Sequence, residues 1–242
     1  MTRFLTALPV YNELKNVNRV LDEVVRYADD VLVVDDGSTD GTSELLEQRQ
    51  DIQLVTHDPN RGYGAALITA FDYAVNHGYD LVVTIDCDGQ HEPQRIREFV
   101  AEYERTGADI ISGSRYLEQF GSNTPVPIER RRINHHITQV LNARLGLNLT
   151  DSFCGFKAYK ADALPRLRLT ETGYAMPLEL WVQAACHSLE VVEFPVPLIY
   201  LDETRSFGGQ LDNGDTRLKY YLDVLERSLA ALPKNCAKLR QR

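Results

Sequence analysis

Asp86 and Asp88 stand two residues apart where an apolar run, Leu81 to Ile85, gives way to the polar stretch "DCDGQHEP". Asp, Gly and Pro punctuate ordinary turns, so the stretch alone reads equally as a turn or as a site. The residue types define what the site would be. Hard divalent cations take oxygen ligands, and a magnesium or manganese ion commonly uses one or two carboxylates plus substrate phosphates. Asp86, Asp88 and the side-chain oxygen of Gln90 can supply such a set. A cation there would neutralise a departing diphosphate as a Lewis acid. His91 reads better as a hydrogen-bonding scaffold residue than as a further ligand.

Three more polar clusters follow apolar runs: "YNE" (Tyr11 to Glu13), "DDGS" (Asp35 to Ser38) and "SR" (Ser114, Arg115). In an open parallel sheet, ligands bind outside the carboxyl ends of the strands. Any one cluster passes as a turn; four at one sheet edge describe a site. Asp35 and Asp36 suit acceptance from ribose hydroxyls or a base N–H. Arg115, Arg130, Arg131 and Arg132 are forks that match phosphate oxygens in bidentate fashion. The "RRR" run opens a helix, where three cations oppose the helix dipole, so helix stability does not explain it. "GYGAA" (Gly62 to Ala66) is an incomplete glycine-rich phosphate loop and reads as a tight start to a helix; no Walker-type sequence occurs elsewhere.

Strands are expected at Phe4–Val10, Val31–Val34, Ile52–Thr56, Leu81–Ile85 and Asp109–Ser114, alternating with segments of helical period. That rhythm predicts βαβ units on a parallel sheet, an α/β protein. "LEQFGSNTPVPIERRR" is too long and too rich in Gly, Pro and Ser for a simple connection and reads as a functional loop. A helix through Ile133 to Leu145 should stop at Gly146. Another is expected around Leu178 to Ala185. "VVEFPVPLIYL", carrying two prolines, suits an edge strand. Leu218, Tyr221, Leu222, Leu225 and Leu229 form one stripe of a terminal amphipathic helix.

The chain has 242 residues, 43% of them hydrophobic, which suffices for a sizeable core. A net charge of -9 argues against a nucleic-acid binder, which needs a positive surface to meet phosphates. Cys87, Cys154, Cys186 and Cys236 lie far apart with no zinc spacing, which reads as a reduced, intracellular chain. The "NLT" at Asn148 is then a chance sequon. No signal-like segment or bilayer-length apolar run occurs, so a cytoplasmic protein is expected, with peripheral contact at the inner membrane surface through its basic tail as the alternative to a solvated end.

"VLVVDD" followed by "DLVVTID" is also similar to a phospho-receiver signalling module. That family needs a lysine after a later strand, and this chain has none between Lys15 and Lys157. "LPVYNE", "VVDDGSTDGT", "NRGYGAA", "DLVVTIDCDGQHEP", "ISGSRY" and "DSFCGFKAYK" instead occur in the order seen in family 2 glycosyltransferases. Over residues 4 to 200 the chain most resembles the polyprenol-phosphate branch, exemplified by dolichyl-phosphate mannose synthases. The resemblance implies a GT-A fold with a mostly parallel central sheet. It also implies one domain over residues 1–242: a nucleotide-sugar half at 1–115, an acceptor half at 116–210, and an amphipathic helix with a basic tail at 211–242.

By the same resemblance Pro9, Tyr11, Glu13, Asp36 and Asp86 surround the nucleotide sugar. Asp86 and Asp88 match the DxD metal pair, with Gln90 as a further ligand of magnesium or manganese. Arg115 and Arg131 match arginines near the acceptor phosphate, and Asp151 opens an active-site "DxxxGF" element. The branch inverts the anomeric carbon in one displacement. A polyprenyl phosphate is already anionic and attacks without a base; the alternative acceptor, a soluble or glycan hydroxyl, needs one, and Asp151 is the candidate. This chain carries His135 and His136 where the branch usually has Ser and a basic residue. In place of its usual "GxSK" stands "ETRSFGGQLDNGD", leaving Arg205 as the donor-site cation.

Overall fold

The computed structural model describes residues 2–201, 209–236 and 239. Arg205 and, in the basic tail, Lys238, Arg240 and Arg242 lie outside the described residues. The first half follows the expected rhythm: β1 (Phe4–Val10), α1 (Val17–Val24), β2 (Asp30–Asp35), α2 (Thr42–Glu47), β3 (Gln53–Thr56), α3 (Tyr63–Asn76), β4 (Leu81–Thr84), α4 (Ile96–Thr106) and β5 (Ile110–Ser114). The second half supplies α5 (Ile128–Leu145), β6 (Lys157–Lys160), α6 (Met176–Cys186), β7 (Val191–Pro195) and α7 (Gly214–Ala231).

Among the described residues the strands form one sheet in the order β3-β2-β1-β4-β6-β5-β7. All neighbours pair in parallel except β6, which runs antiparallel between β4 and β5. The pleat sends alternate residues to opposite faces. On β1, Leu5 and Ala7 join a core covered by α3, α5, α6 and α7, while Phe4, Leu8 and Val10 join a second core under α1, α2 and α4. The carboxyl ends of β1, β2, β4 and β5 therefore share one edge, and the polar clusters that follow them meet there.

Three expectations change. β6 was not foreseen, because "KAYK" offers four residues and no apolar alternation. It also carries the preceding segment onto β4, where the Thr84 hydroxyl donates to the Gly155 carbonyl at 2.8 Å. α5 begins five residues before Ile133, so the arginine run sits in its first turns; the left-handed Gly146 ends it as expected. The proline-bearing strand is at the sheet edge but spans only Val191–Pro195.

The reading of four reduced cysteines is corrected. Cys186 at the end of α6 is bonded to Cys236 beyond α7, and Cys87 and Cys154 are buried outside any disulfide. Residues fifty apart give no sequence signal until the helices bring them together. Tyr221, Leu225 and Leu229 bury the stripe of α7 against α5 and α6, with Leu218 and Leu222 half-buried. Leu225→Ala should destabilise the protein by about 2–5 kcal/mol and Leu222→Ala by clearly less; equal losses in denaturant unfolding would contradict this packing.

Candidate functional site

The shared edge opens into a cleft of about 1140 Å³. Pro9, near the end of β1, lines it together with Tyr11 and Glu13 beyond that strand, Asp36 beyond β2, and Asp86, Asp88 and Gln90 beyond β4. Arg115 and Tyr116 line it beyond β5, and Arg130, Ile133 and Asn134 from α5. Arg131 is not among the lining residues: it is exposed, its guanidinium 5.9 Å from the Tyr116 ring. Asp151 lies behind the wall, fully buried.

Asp36 is nearly as buried. Its carboxylate accepts from the Arg61 and Gly62 amides at 2.9 and 2.7 Å and lies 2.7 Å from His57 Nδ1. It thus organises the turn into α3. Asp35 does similar work for the next loop, accepting from the Ser38 amide and the Ser43 hydroxyl.

That turn delivers Tyr63, whose hydroxyl donates to Asp86 Oδ1 at 3.0 Å. Burial, and then the neighbouring carboxylate, push the Tyr63 hydroxyl well up, so it remains a donor. Tyr63 also stacks on Tyr174, ring centroids 5.8 Å apart. The Tyr174 segment is held in turn by the buried Glu179 carboxylate, which accepts from the Thr170 amide, the Thr170 hydroxyl and the Glu171 amide at 2.7–2.8 Å. Gly62, with φ +103°, and Gly64 are required here, because a Cβ on either would collide with the Glu171–Thr172 backbone. "GYGAA" therefore does more than start a helix: it sets the rotamer of the first acid of the pair. A tyrosine three residues after an asparagine is no signal by itself, so sequence reasoning missed it.

His91 Nε2 lies 3.6 Å from Asp86 Oδ2, and its ring packs against Phe156 at 5.4 Å. His91 Nδ1 is buried without a hydrogen-bond partner among the described residues, so His91 packs beside Asp86 but is not the hydrogen-bonding scaffold residue expected. Asp86 further depends on Gly155, since any Cβ there would fall on its carboxylate. Asp88 Oδ1 accepts from the Gln90 amide at 2.9 Å across the turn at Gly89, φ +75°. No cluster of three or more His, Cys, Asp or Glu side chains able to hold a metal occurs among the described residues. Two partly exposed carboxylates and an amide oxygen on the cleft wall do fit a hard cation that draws its remaining ligands from a diphosphate.

On the other wall Arg115 grips Asp151 through Nε to Oδ2 at 2.6 Å and Nη2 to Oδ1 at 3.0 Å. The Asn134 amide and the Phe153 backbone also donate to Oδ1, at 2.9 and 3.1 Å. Burial pushes the Asp151 carboxyl up, but the Arg115 guanidinium and the Asn134 amide more than offset it and hold it well below the usual range. A buried carboxylate with both oxygens engaged and so little proton affinity is a poor general base. The base expected of Asp151 is corrected to an anchor for Arg115. Lys157, also fully buried, donates to the Cys154 carbonyl, and burial pushes the Cys154 thiol up to about 11, which makes it inert. Phe153, within the "DSFCGFKAYK" stretch, and Arg217 and Tyr221 of α7 complete this wall; no motif pointed to the two α7 residues.

Sheet, cleft and acid pair together define a GT-A-type nucleotide-sugar fold. Residues 6–168 match the family described as Glycosyl transferase family 2, and the chain belongs to that family of glycosyltransferases. The undecaprenyl-phosphate mannosyltransferase of Micrococcus luteus is 33% identical over 220 residues, covering 86% of this chain and 88% of the relative. The polyprenol monophosphomannose synthase of Mycolicibacterium smegmatis is 31% identical over 209 residues, covering 80% and 76%. Glucosyl-3-phosphoglycerate synthase from Mycobacterium tuberculosis shares the fold, with a TM-score of 0.72 at 18% identity, covering 96% of this chain and 82% of that one. The same synthase has been solved with Mn2+, uridine diphosphate and phosphoglyceric acid.

Tyr63→Phe removes one hydrogen bond to Asp86 while keeping the ring stack. Manganese affinity, measured by electron paramagnetic resonance in the presence of nucleotide, should fall by about tenfold or more, as for other residues that orient a metal ligand. Unchanged affinity would release Tyr63 from that role. Asp151→Asn tests the second wall. Because the folded carboxyl is held below its unfolded value of ~3.9, its stabilisation is complete above that value and is lost as pH falls toward the depressed one. The Tm gap between wild type and variant should be widest near neutral pH and narrow below about pH 4; a pH-independent gap would contradict the ion pair.

Proposed function

We propose that this glycosyltransferase moves a sugar from a nucleotide-diphosphate sugar to a polyprenyl phosphate, with inversion and with a divalent cation, magnesium or manganese, at Asp86, Asp88 and Gln90. The observation that carries the proposal is the polarity of the cleft. Its β4 side bears the acid pair, while its α5 side bears Arg115 and Arg130 beside the apolar Val126, Ile133, Phe153, Leu198 and Tyr221. An anionic head with an isoprenoid tail matches that second wall. The names of the two relatives above, a mannosyltransferase and a monophosphomannose synthase that act on polyprenol carriers, support the same acceptor class.

In this reading residues 1–115 receive the donor and 116–210 the acceptor, with α7 from the 211–242 segment closing the wall. Pro9, Tyr11 and Glu13 border the nucleotide, Tyr63 orients Asp86, and Arg115, anchored by Asp151, directs the acceptor phosphate. The cation supplies charge neutralisation of the departing diphosphate. The phosphate oxygen attacks the anomeric carbon without a base, which suits a site whose nearest candidate base, Asp151, is locked. A hydroxyl acceptor is the weaker reading for the same reason. No helix among the described residues is long and apolar enough to cross a membrane, and the acceptor requires contact at a membrane surface.

Calorimetry with GDP and UDP, with and without manganese, should show metal-dependent binding of one nucleotide, and Asp88→Asn should abolish it without lowering Tm. Binding of neither nucleotide under any metal condition would sink the donor assignment. Labelled sugar should pass from nucleotide sugar into the lipid phase of a membrane extract; product confined to the aqueous phase would favour the hydroxyl acceptor.

A further inference from the structure

The outer face of α5 has no explanation within the reaction. Ile128, Arg131, Arg132, His135 and Gln139 recur at helical spacing and all are exposed. Ile128 leaves 86% of its surface in water, far more than any other large apolar residue described. Arg132 makes no hydrogen bond or ion pair among the described residues, and Arg131 makes only its ring contact to Tyr116. The sole acid of this turn, Glu129, reaches instead toward α7, 3.6 Å from Arg217 Nη2. Arg131 and Arg132 oppose the helix dipole and stand beside the most exposed large apolar residue described, so helix stability does not explain this face.

We infer that this face docks the enzyme on an anionic lipid bilayer. Charge selects the occupant: on a chain of net charge -9 the face is locally cationic, with a single apolar tip to enter the acyl boundary. Position supports it. The inner side of the same helix puts Arg130, Ile133 and Asn134 into the cleft, and exposed Leu117 and Leu201 belong to segments that border its mouth. Docking through the outer side would therefore bring the apolar wall of the cleft to the surface from which a polyprenyl phosphate must be drawn. The inference rests on the lipid-acceptor reading, yet bilayer binding can be measured without donor or acceptor.

The test is co-sedimentation of the full chain with vesicles of phosphatidylcholine alone and of phosphatidylcholine with phosphatidylglycerol, at low and high salt. Wild type should partition onto the anionic vesicles only, and high salt should weaken it. The double variant Ile128→Ser, Arg132→Ser should lose on the order of tenfold or more of that partition, with Tm unchanged and with unchanged transfer to a short, water-dispersed polyprenyl phosphate. No wild-type partition, equal partition of the variant, or concentration-dependent self-association that the variant abolishes would overturn the docking face. Intact partition with no transfer to any polyprenyl phosphate would overturn the proposed acceptor instead.

Discussion

The Arg115–Asp151 ion pair, its carboxylate fully buried, holds one wall of the cleft, and the segment it fixes reaches the other. Taking a carboxylate out of water costs several kcal/mol, and removing one partner of such a pair typically costs about 3–5 kcal/mol. Asp151 stays ionised because donors from three places converge on it: Arg115 beyond β5, Asn134 on α5, and the Phe153 amide on the way to β6. Glu193 on β7 fixes the same segment from behind, accepting from the Thr150 and Asp151 amides. The segment so held continues to Gly155, whose carbonyl is bound by Thr84 and whose missing side chain leaves room for Asp86. The acid pair on one wall is thus placed by the ion pair on the other.

Where hydrophobic period and burial agree, the fold was legible. β1, β2 and β4 are central strands with continuous apolar runs, and α1 and α3 show helical spacing, so their existence and order could be read directly. β6 could not, because its identity comes from pairing on both sides and not from its own four residues. The Cys186–Cys236 bond was invisible for a related reason, since it depends on where α6 and α7 end. α5 began earlier than expected because its first turn, Ile128 to Arg132, buries no apolar residue that could mark it in the sequence.

The acids of the site were legible and most of their supports were not. Asp86, Asp88, Gln90, Tyr11, Glu13, Asp36 and Arg115 converge because each follows a strand at the same edge, and Pro9 sits near the end of β1 beside them, a property of topology that spacing reveals. Tyr63, Glu179 and Gly155 act at a distance in sequence, and each contributes a hydrogen bond or a gap that exists only in three dimensions. Arg130 and Arg131 show the limit most simply. Neighbouring residues on a helix point about 100° apart, so which of two adjacent arginines enters a cleft depends on the helix phase, and that phase is set by Ile133 and Ile137 packing into the core.

The electrostatics of the acceptor wall follow from the same pair. Asp151 cancels much of the charge of Arg115 but occupies only its Nε and Nη2 groups, two positions of a fork that carries five N–H donors. The remaining donors keep a direction fixed by the buried carboxylate while exerting little long-range attraction. Arg115 is therefore suited to orienting a phosphate that has already arrived, with small reorganisation cost. Arg130 on α5 lines the same cleft and adds a second cation to this wall, in a protein whose net charge is -9. In the proposed reaction the acid pair with its cation takes the diphosphate and the arginine wall takes the acceptor phosphate, so the two anions approach the anomeric carbon from separate sides.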